Sequence, residues 1–541
     1  MINVNFGNDR RWQIQVNQAN RVYGATSPGA IGAGDGRKGE WSLATDLLAF
    51  GLSNQPDRAA VVCDDVELSF RQVHWRANRL AGYFDELGLN PGDRVALLAK
   101  NEYQYLEIQV ACMRRGLILV PLNFRLAVPE LAYIISDCDP SLLIVSRELV
   151  SSSDDLKISC LILDDAYEQM VVGEDDKPLV QIDLSADCTI LYTSGTTGRP
   201  KGAVLTNQSL YARLNANFFE YQISPGDIFL QCLPLFHIAS NVSYSYTYAG
   251  ATNVFLKDFH PLAVLDLVER HEVSTALLVP TMINAVIHQP EVARADLLSL
   301  KKIAYGASPM PPSVLASAIE TFRCEFLQLY GMTETSAATV LRPEHHNPEA
   351  RPDLLASAGQ AGVGMEVRVV DDDDHEVPLG DVGEIVCCGE AVMRAYWGNA
   401  DASTAALKGG WMHTGDMGYC DSEGFYFITD RKKDMIVSGG ENIYPREVED
   451  ALFEHADILE AAVIGIPSEK WGEQVHAILV AENGKELDPG EVLTFARERL
   501  AGYKVPKSVE ISPGLPKNAT GKVLKTELRQ LYWQDHDRSV S

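Results

Sequence analysis

Short apolar runs alternate along this chain with segments of helical spacing, and no other feature constrains its fold as strongly. Arg94–Ala99 (RVALLA) follows the turn Asn90-Pro91-Gly92-Asp93 and reads as a buried strand. Leu106–Arg115 spaces its apolar residues three and four apart, as a helix does, and Leu117–Pro121 reads as the next strand. Strands without a polar face, joined through helices, need parallel sheets covered on both sides. Four later candidates, Cys188–Tyr192, Thr275–Val279, Lys302–Tyr305 and Glu325–Leu329, end in loops rich in Gly, Ser and Thr or at a Pro-Thr step. Ligands of open α/β sheets bind beyond the carboxyl ends of strands, so the site is expected there.

The expected class is therefore α/β: a large N-terminal domain of parallel or mixed sheets flanked by helices. Character changes near Thr429–Asp434. Beyond it come strand candidates Ala461–Ile466 and His476–Ala481 and an amphipathic helix near Glu491–Leu500, a small α+β domain. Residues 24–39 hold six glycines and read as a flexible lead-in. The expected division is a leader over 1–40, a large domain over 41–429 and a small domain over 434–541.

A formal charge of −28 on 541 residues argues against nucleic acid and anionic membrane surfaces as partners, because both bind through clustered Lys and Arg. It leaves a nucleotide site open, since local backbone N–H groups and one Lys suffice to hold phosphate. Ten scattered cysteines without a CxxC pair read as reduced thiols and show no zinc-ligand spacing. The polar first twenty residues and the absence of a long apolar stretch predict a cytoplasmic protein without stable membrane insertion.

The strongest chemical signal is Tyr192-Thr-Ser-Gly-Thr-Thr-Gly-Arg-Pro-Lys-Gly202. Its glycines let N–H groups approach phosphate oxygens, its hydroxyls add donors and Lys201 adds charge. It is not a Walker A loop, which ends in a Gly-Lys pair. Five further stretches follow in order: Gly331-Met-Thr-Glu-Thr335, Trp411-Met-His-Thr-Gly-Asp416, Asp430-Arg-Lys-Lys-Asp434, Gly439-Gly-Glu-Asn-Ile-Tyr-Pro445 and Pro516-Lys-Asn-Ala-Thr-Gly-Lys522. Together they resemble the adenylate-forming family of acyl-CoA synthetases, nonribosomal peptide adenylation domains and beetle luciferases, over about Trp41 to Lys525.

The resemblance implies an ATP-dependent, AMP-forming acid–thiol ligase using Mg²⁺. A carboxylate attacks the α-phosphate and releases pyrophosphate, and the thiol of CoA then takes the acyl group. Two anions must meet, so such a site needs cations and aligned donors more than a strong base. By resemblance, Lys522 is the catalytic cation bridging carboxylate and α-phosphate. Glu334 is the magnesium ligand and Thr333 its phosphate-contacting neighbour. Thr193, Ser194, Gly195, Thr196, Thr197, Gly198 and Lys201 line the pyrophosphate side. Asp416 and Arg431 hold the ribose, and Tyr330, followed by Gly331 and Met332, stacks on adenine opposite Gly306, Ala307 and Ser308. The resemblance also implies that 430–433 is a hinge and the small domain mobile. In it Lys433 is the hinge residue, with Lys432 its rival, and Ser438, Gly439 and Gly440 line the CoA tunnel. Homodimers are common in the family.

The acid is addressed by Leu233-Pro-Leu-Phe-His-Ile-Ala-Ser-Asn-Val242. Amino-acid adenylation domains place an Asp there to hold the substrate ammonium; this chain has His237 and neutral neighbours, and a buried ammonium without a carboxylate is costly. His237 is expected beside the substrate carboxylate and the thiol entry. The resemblance of the C-terminal third favours a medium- to long-chain fatty acid, with a phenylpropanoid or benzoate-type acid as first rival. An acyl-AMP ligase loading a carrier protein and a luciferase-like oxygenase share these motifs.

Overall fold

The computed structural model describes residues 43–44, 46–153, 156, 158–179, 181–193, 200–308, 310–431, 434–438, 441–468, 470–482, 484–517 and 522–533. Two large mixed sheets carry the N-terminal part. The first has seven strands in the order Ala395–Tyr396, Lys201–Thr206, Asp187–Thr193, Ile118–Pro121, Arg94–Leu98, Leu142–Ser146 and Cys160–Leu163, parallel from Asp187–Thr193 onward. The second has nine. Its parallel centre runs Glu325–Met332, Lys302–Gly306, Thr275–Leu278, Ile228–Gln231, Thr252–Phe255 and Ala59–Cys63, and antiparallel strands close both edges.

The alternation seen in the sequence explains this arrangement. Val95, Ala96, Leu97 and Leu98 are completely enclosed, which their apolar side chains tolerate on both faces of a sheet. Helix Phe70–Glu86 starts where Ser69 Oγ accepts from Gln72 N at 3.2 Å and Gln72 Oε1 accepts from Ser69 N at 2.8 Å, a reciprocal cap. Helix Gln104–Arg115 is buried over its whole length except Arg115 and shares one apolar core with Phe70–Glu86 and with strands of both sheets.

Burial on all sides also encloses charge. Glu107 is fully enclosed, and Arg76 Nη2 donates to it at 2.9 Å while Arg76 Nη1 pairs with Glu168 at 2.8 Å. Arg76→Leu strands the Glu107 carboxylate and is expected to cost about 3–5 kcal/mol. Arg76→Leu/Glu107→Leu is expected to recover most of that. Denaturant midpoints of the two variants check this.

A third, four-stranded antiparallel sheet, Met365–Val370, Gly383–Gly389, Met412–Cys420 and Tyr426–Arg431, was not legible in the alternation. The C-terminal part forms a five-stranded, mainly antiparallel sheet with helices Pro445–Phe453 and Pro489–Arg497. Its strands Ile458–Ser468 and Gly472–Ala481 are longer than the sequence pattern predicts, and the last helix ends sooner. It touches the third sheet through Arg446, whose N and Nη1 donate to Asp430 Oδ2 and Ile428 O at 3.0 and 3.2 Å. Among the described residues no helix is long and apolar enough to cross a membrane.

Candidate active site

Strand Glu325–Met332 carries Tyr330 and Gly331 and turns through Thr333–Thr335 into the antiparallel Ser336–Leu341, with a register shift after Tyr330. The turn is tight: a Cβ on Gly331 would stand 1.7 Å from Ser336 O, so only glycine fits. Thr335 Oγ1 accepts from Met332 N at 3.1 Å and holds it closed. Glu334 is thereby delivered, 4% exposed, at the carboxyl end of the parallel strands.

Two groups of residues meet beyond these strand ends. In one, Tyr396 OH donates to Glu334 Oε1 at 2.8 Å, and Lys201 Nζ lies 5.3 Å from the centroid of the Tyr396 ring. Lys201 stands opposite Thr193 in the ladder, and Thr193 Oγ1 donates weakly to Lys201 O at 3.4 Å. In the other, Tyr330 OH donates to Asp416 Oδ2 at 2.8 Å and Arg431 Nε pairs with Asp416 Oδ1 at 3.0 Å. Asp416 and Arg431 face each other across strands Met412–Cys420 and Tyr426–Arg431. Burial and the neighbouring Asp416 charge push the Tyr330 phenol far above its ordinary range. Burial opposes the Arg431 charge, but Asp416, Asp434, Tyr330 and Glu334 together more than offset it and raise its pKa. Strand Lys302–Gly306 leads into Ala307, left-handed at φ 68°, and half-buried Ser308.

His237 follows Phe236 into the turn before helix Ser240–Tyr248 and lies 4.4 Å from the Phe236 ring. It is half-buried, and its Nε2 is enclosed without a partner. Burial and the charge of Arg125 push its pKa down to about 4, so the ring is neutral at physiological pH. The unfolded chain, titrating near the ordinary histidine value of 6.5, then binds the extra proton first. Stability is therefore expected to fall between about pH 6.5 and 4, and His237→Gln should flatten that part of a pH–melting curve.

Of the remaining predicted residues, Met332 and Thr333 are half-buried on the turn. Ser438 pairs with Glu441 and Gly472 in the C-terminal sheet. Lys522 is half-buried beside Val523, which bridges Lys517. Ser194, Gly195, Thr196, Thr197, Gly198, Lys432, Lys433, Gly439 and Gly440 lie outside the described residues.

Two residues of the site escaped the sequence reading. Tyr396 sits on a two-residue edge strand with no periodicity to mark it. Arg213 is fully enclosed and donates to Ala391 O at 2.7 Å and Glu334 O at 3.3 Å. The signal for Arg213 was present: it lies in the Leu210, Leu214, Asn217, Tyr221 stripe of helix Asn207–Tyr221, where a charge is out of place.

Among the described residues no three His, Cys, Asp or Glu side chains cluster to hold a metal on their own. A single hard carboxylate such as Glu334 instead fits Mg²⁺, which keeps waters and takes phosphate oxygens as its other ligands.

Residues 51–397 match the AMP-binding enzyme family, and residues 447–522 the AMP-binding enzyme C-terminal domain. A feruloyl-CoA synthase of an Amycolatopsis species is 39% identical over 479 residues, covering 88% of this chain and 96% of that protein. A fatty acid–[acyl-carrier-protein] ligase of Streptomyces coeruleorubidus is 36% identical over 507 residues, covering 91% and 97%. The solved o-succinylbenzoate CoA synthetase of Bacillus subtilis, in complex with its acyl-adenylate intermediate, superposes with a TM-score of 0.81 at 31% identity, covering 90% of this chain and 98% of that one.

Proposed function

The chain belongs to the AMP-binding enzymes and is an AMP-forming ligase of the acyl- and aryl-CoA type, and from that premise we propose that it adenylates an apolar carboxylic acid at the Asp416–Glu334 site and passes the acyl group to CoA. The observation that carries this reading is the Asp416 carboxylate. Tyr330 and Arg431 each occupy one of its oxygens, so it is fixed in place with a lone pair left on each for adjacent ribose hydroxyls.

The chemistry then follows from charge. A carboxylate oxygen attacks the α-phosphorus, the bond to the bridging oxygen breaks and pyrophosphate leaves. Thiolate sulfur next attacks the carbonyl carbon of the mixed anhydride, and AMP leaves with the electron pair. Lys522 neutralises the meeting anions, and Thr193, Ser194, Thr196, Thr197 and Lys201 receive the pyrophosphate. Glu334, with Thr333 beside it, would hold Mg²⁺, which when bound with ATP offsets phosphate charge. Tyr330 covers adenine against Gly306–Ser308. His237, neutral and with Nε2 unpartnered, supports a place beside the substrate carboxylate. Lys433 acts as hinge between half-reactions, and Ser438, Gly439 and Gly440 line the thiol's path.

For the acid, a medium- to long-chain fatty acid is the first reading. One observation favours a compact aryl acid. The Tyr246 ring stacks on Phe229 at 4.4 Å, both fully enclosed, so an alkyl chain extending past His237 between helix Ser240–Tyr248 and the sheet would have to displace them. Pyrophosphate release against dodecanoic, palmitic, ferulic and benzoic acids and phenylalanine, each with and without CoA, tests both readings. Release is expected with the apolar acids, and thioester only with CoA. Release with phenylalanine alone would overturn the proposal.

A further inference from the structure

We infer that Arg213 is a positioning residue for the Glu334 carboxylate, stapling together the three chain segments that build the phosphate side of the site; this rests on the reading of Glu334 as the magnesium ligand. Arg213 has the largest of the completely enclosed side chains. Its Nε and Nη2 each grip a main-chain carbonyl, Ala391 O and Glu334 O, and its Nη1 is enclosed without a partner. Among the described residues it forms no ion pair with a carboxylate. An enclosed cation in that state is costly, and burial pushes the guanidinium down to about 9, with Cys188 and Glu334 only partly offsetting this. Such a local penalty persists where a site depends on the residue.

The two carbonyls belong to separate segments that carry the site's own groups. Glu334 O also accepts from Met393 N at 2.7 Å, Arg394 N donates to Val204 O at 2.9 Å and Trp397 N to Gly202 O at 2.7 Å. The segment from Ala391 to Trp397 therefore lies between the Glu334 turn and the strand Lys201–Thr206, and it presents Tyr396 to the Glu334 carboxylate. The helix bearing Arg213 follows that same strand directly. Glu334 is thus fixed twice, its carbonyl by Arg213 and Met393 and its carboxylate by Tyr396. A fork spanning two carbonyls is guanidinium geometry, which an ammonium cannot reproduce.

The test uses the full chain with Arg213→Met, Arg213→Lys and Glu334→Gln. Three quantities are read: Mn²⁺ affinity by electron paramagnetic resonance with a non-hydrolysable ATP analogue, Mg²⁺ half-saturation of pyrophosphate release, and thioester formation from supplied acyl adenylate. Removing a group that orients a metal ligand typically weakens metal binding about 10–100-fold. Both Arg213 variants are expected to weaken Mn²⁺ binding by at least about 10-fold and raise Mg²⁺ half-saturation in step. Thioester formation should stay within about twofold of the parent, since no phosphate pair is held in that step. Parent-like Mn²⁺ affinity in either Arg213 variant would overturn the inference, as would parallel loss of both half-reactions with unchanged metal affinity. Should Arg213→Met fail to fold, Arg213→Lys decides alone. Glu334→Gln separates the two claims: if it too leaves Mn²⁺ affinity unchanged, the reading of Glu334 falls, whereas loss there with none in the Arg213 variants removes only the Arg213 inference.

Discussion

Lys522→Ala is expected to lower acid adenylation by about 10³-fold while thioester formation from supplied acyl adenylate stays within severalfold, the upper end of what one removed charge-stabilising group costs. The asymmetry comes from what each half-reaction brings together. In the first, a carboxylate must approach a phosphate, and two unit charges 4 Å apart repel by about 4 kcal/mol at an effective dielectric of 20. One ammonium between them reverses that sign and gains most as charge shifts onto the leaving pyrophosphate. In the second, a thiolate meets a neutral acyl carbonyl and AMP departs, so the same cation has little to neutralise. Lys522 lies on the C-terminal part, beside the Lys517–Val523 bridge, so on the proposed reading it reaches the site from that part. Lys522→Arg, which keeps charge but not shape, should restore part of the first half-reaction. Equal loss of both half-reactions in Lys522→Ala would remove the assignment.

How much of this was legible in the sequence depended on whether physics forces a residue type to repeat. Arg94–Leu98 reads as a strand because both its faces are dry and only apolar side chains tolerate that. Asp416 was found through its neighbours, not through any periodicity, and its strand shows why. In Met412–Cys420 burial alternates along the strand, yet the inward positions include Thr414 and Asp416, which hydrogen bonds satisfy in place of apolar packing. An alternation of burial therefore did not become an alternation of hydrophobicity, and the third sheet went unseen. The same reason hid the Arg76–Glu107 pair, enclosed in a helix layer that otherwise reads as apolar. Tyr396 and Arg213 act through partners more than 60 residues away in the chain, and such pairings leave no local trace. The tight turns fared better, because Gly331 admits no side chain at all.

Asp416→Ala is expected to raise the KM for ATP by about 10²-fold with a smaller change in kcat. On the proposed reading the carboxylate holds a part of ATP remote from the reacting phosphorus, and losing such uniform binding raises KM more than it lowers kcat. Truncating one partner of an enclosed, hydrogen-bonded charge pair costs about 2–5 kcal/mol, much of it from the group left behind. Here that group is Arg431, together with the Tyr330 hydroxyl. Because Arg431 keeps some exposure, the lower half of that range applies. A second nucleotide separates lost contact from general disturbance. If Asp416 accepts from both ribose hydroxyls, the parent should prefer ATP to 2′-deoxy-ATP by about 10-fold in kcat/KM, the worth of one charge-assisted hydrogen bond. In Asp416→Ala that preference should collapse toward unity, since the variant has no acceptor left to miss the hydroxyl. Asp416→Asn, which keeps one oxygen, should fall between. A preference for ATP that survives undiminished in Asp416→Ala would place the ribose elsewhere, and with it the nucleotide.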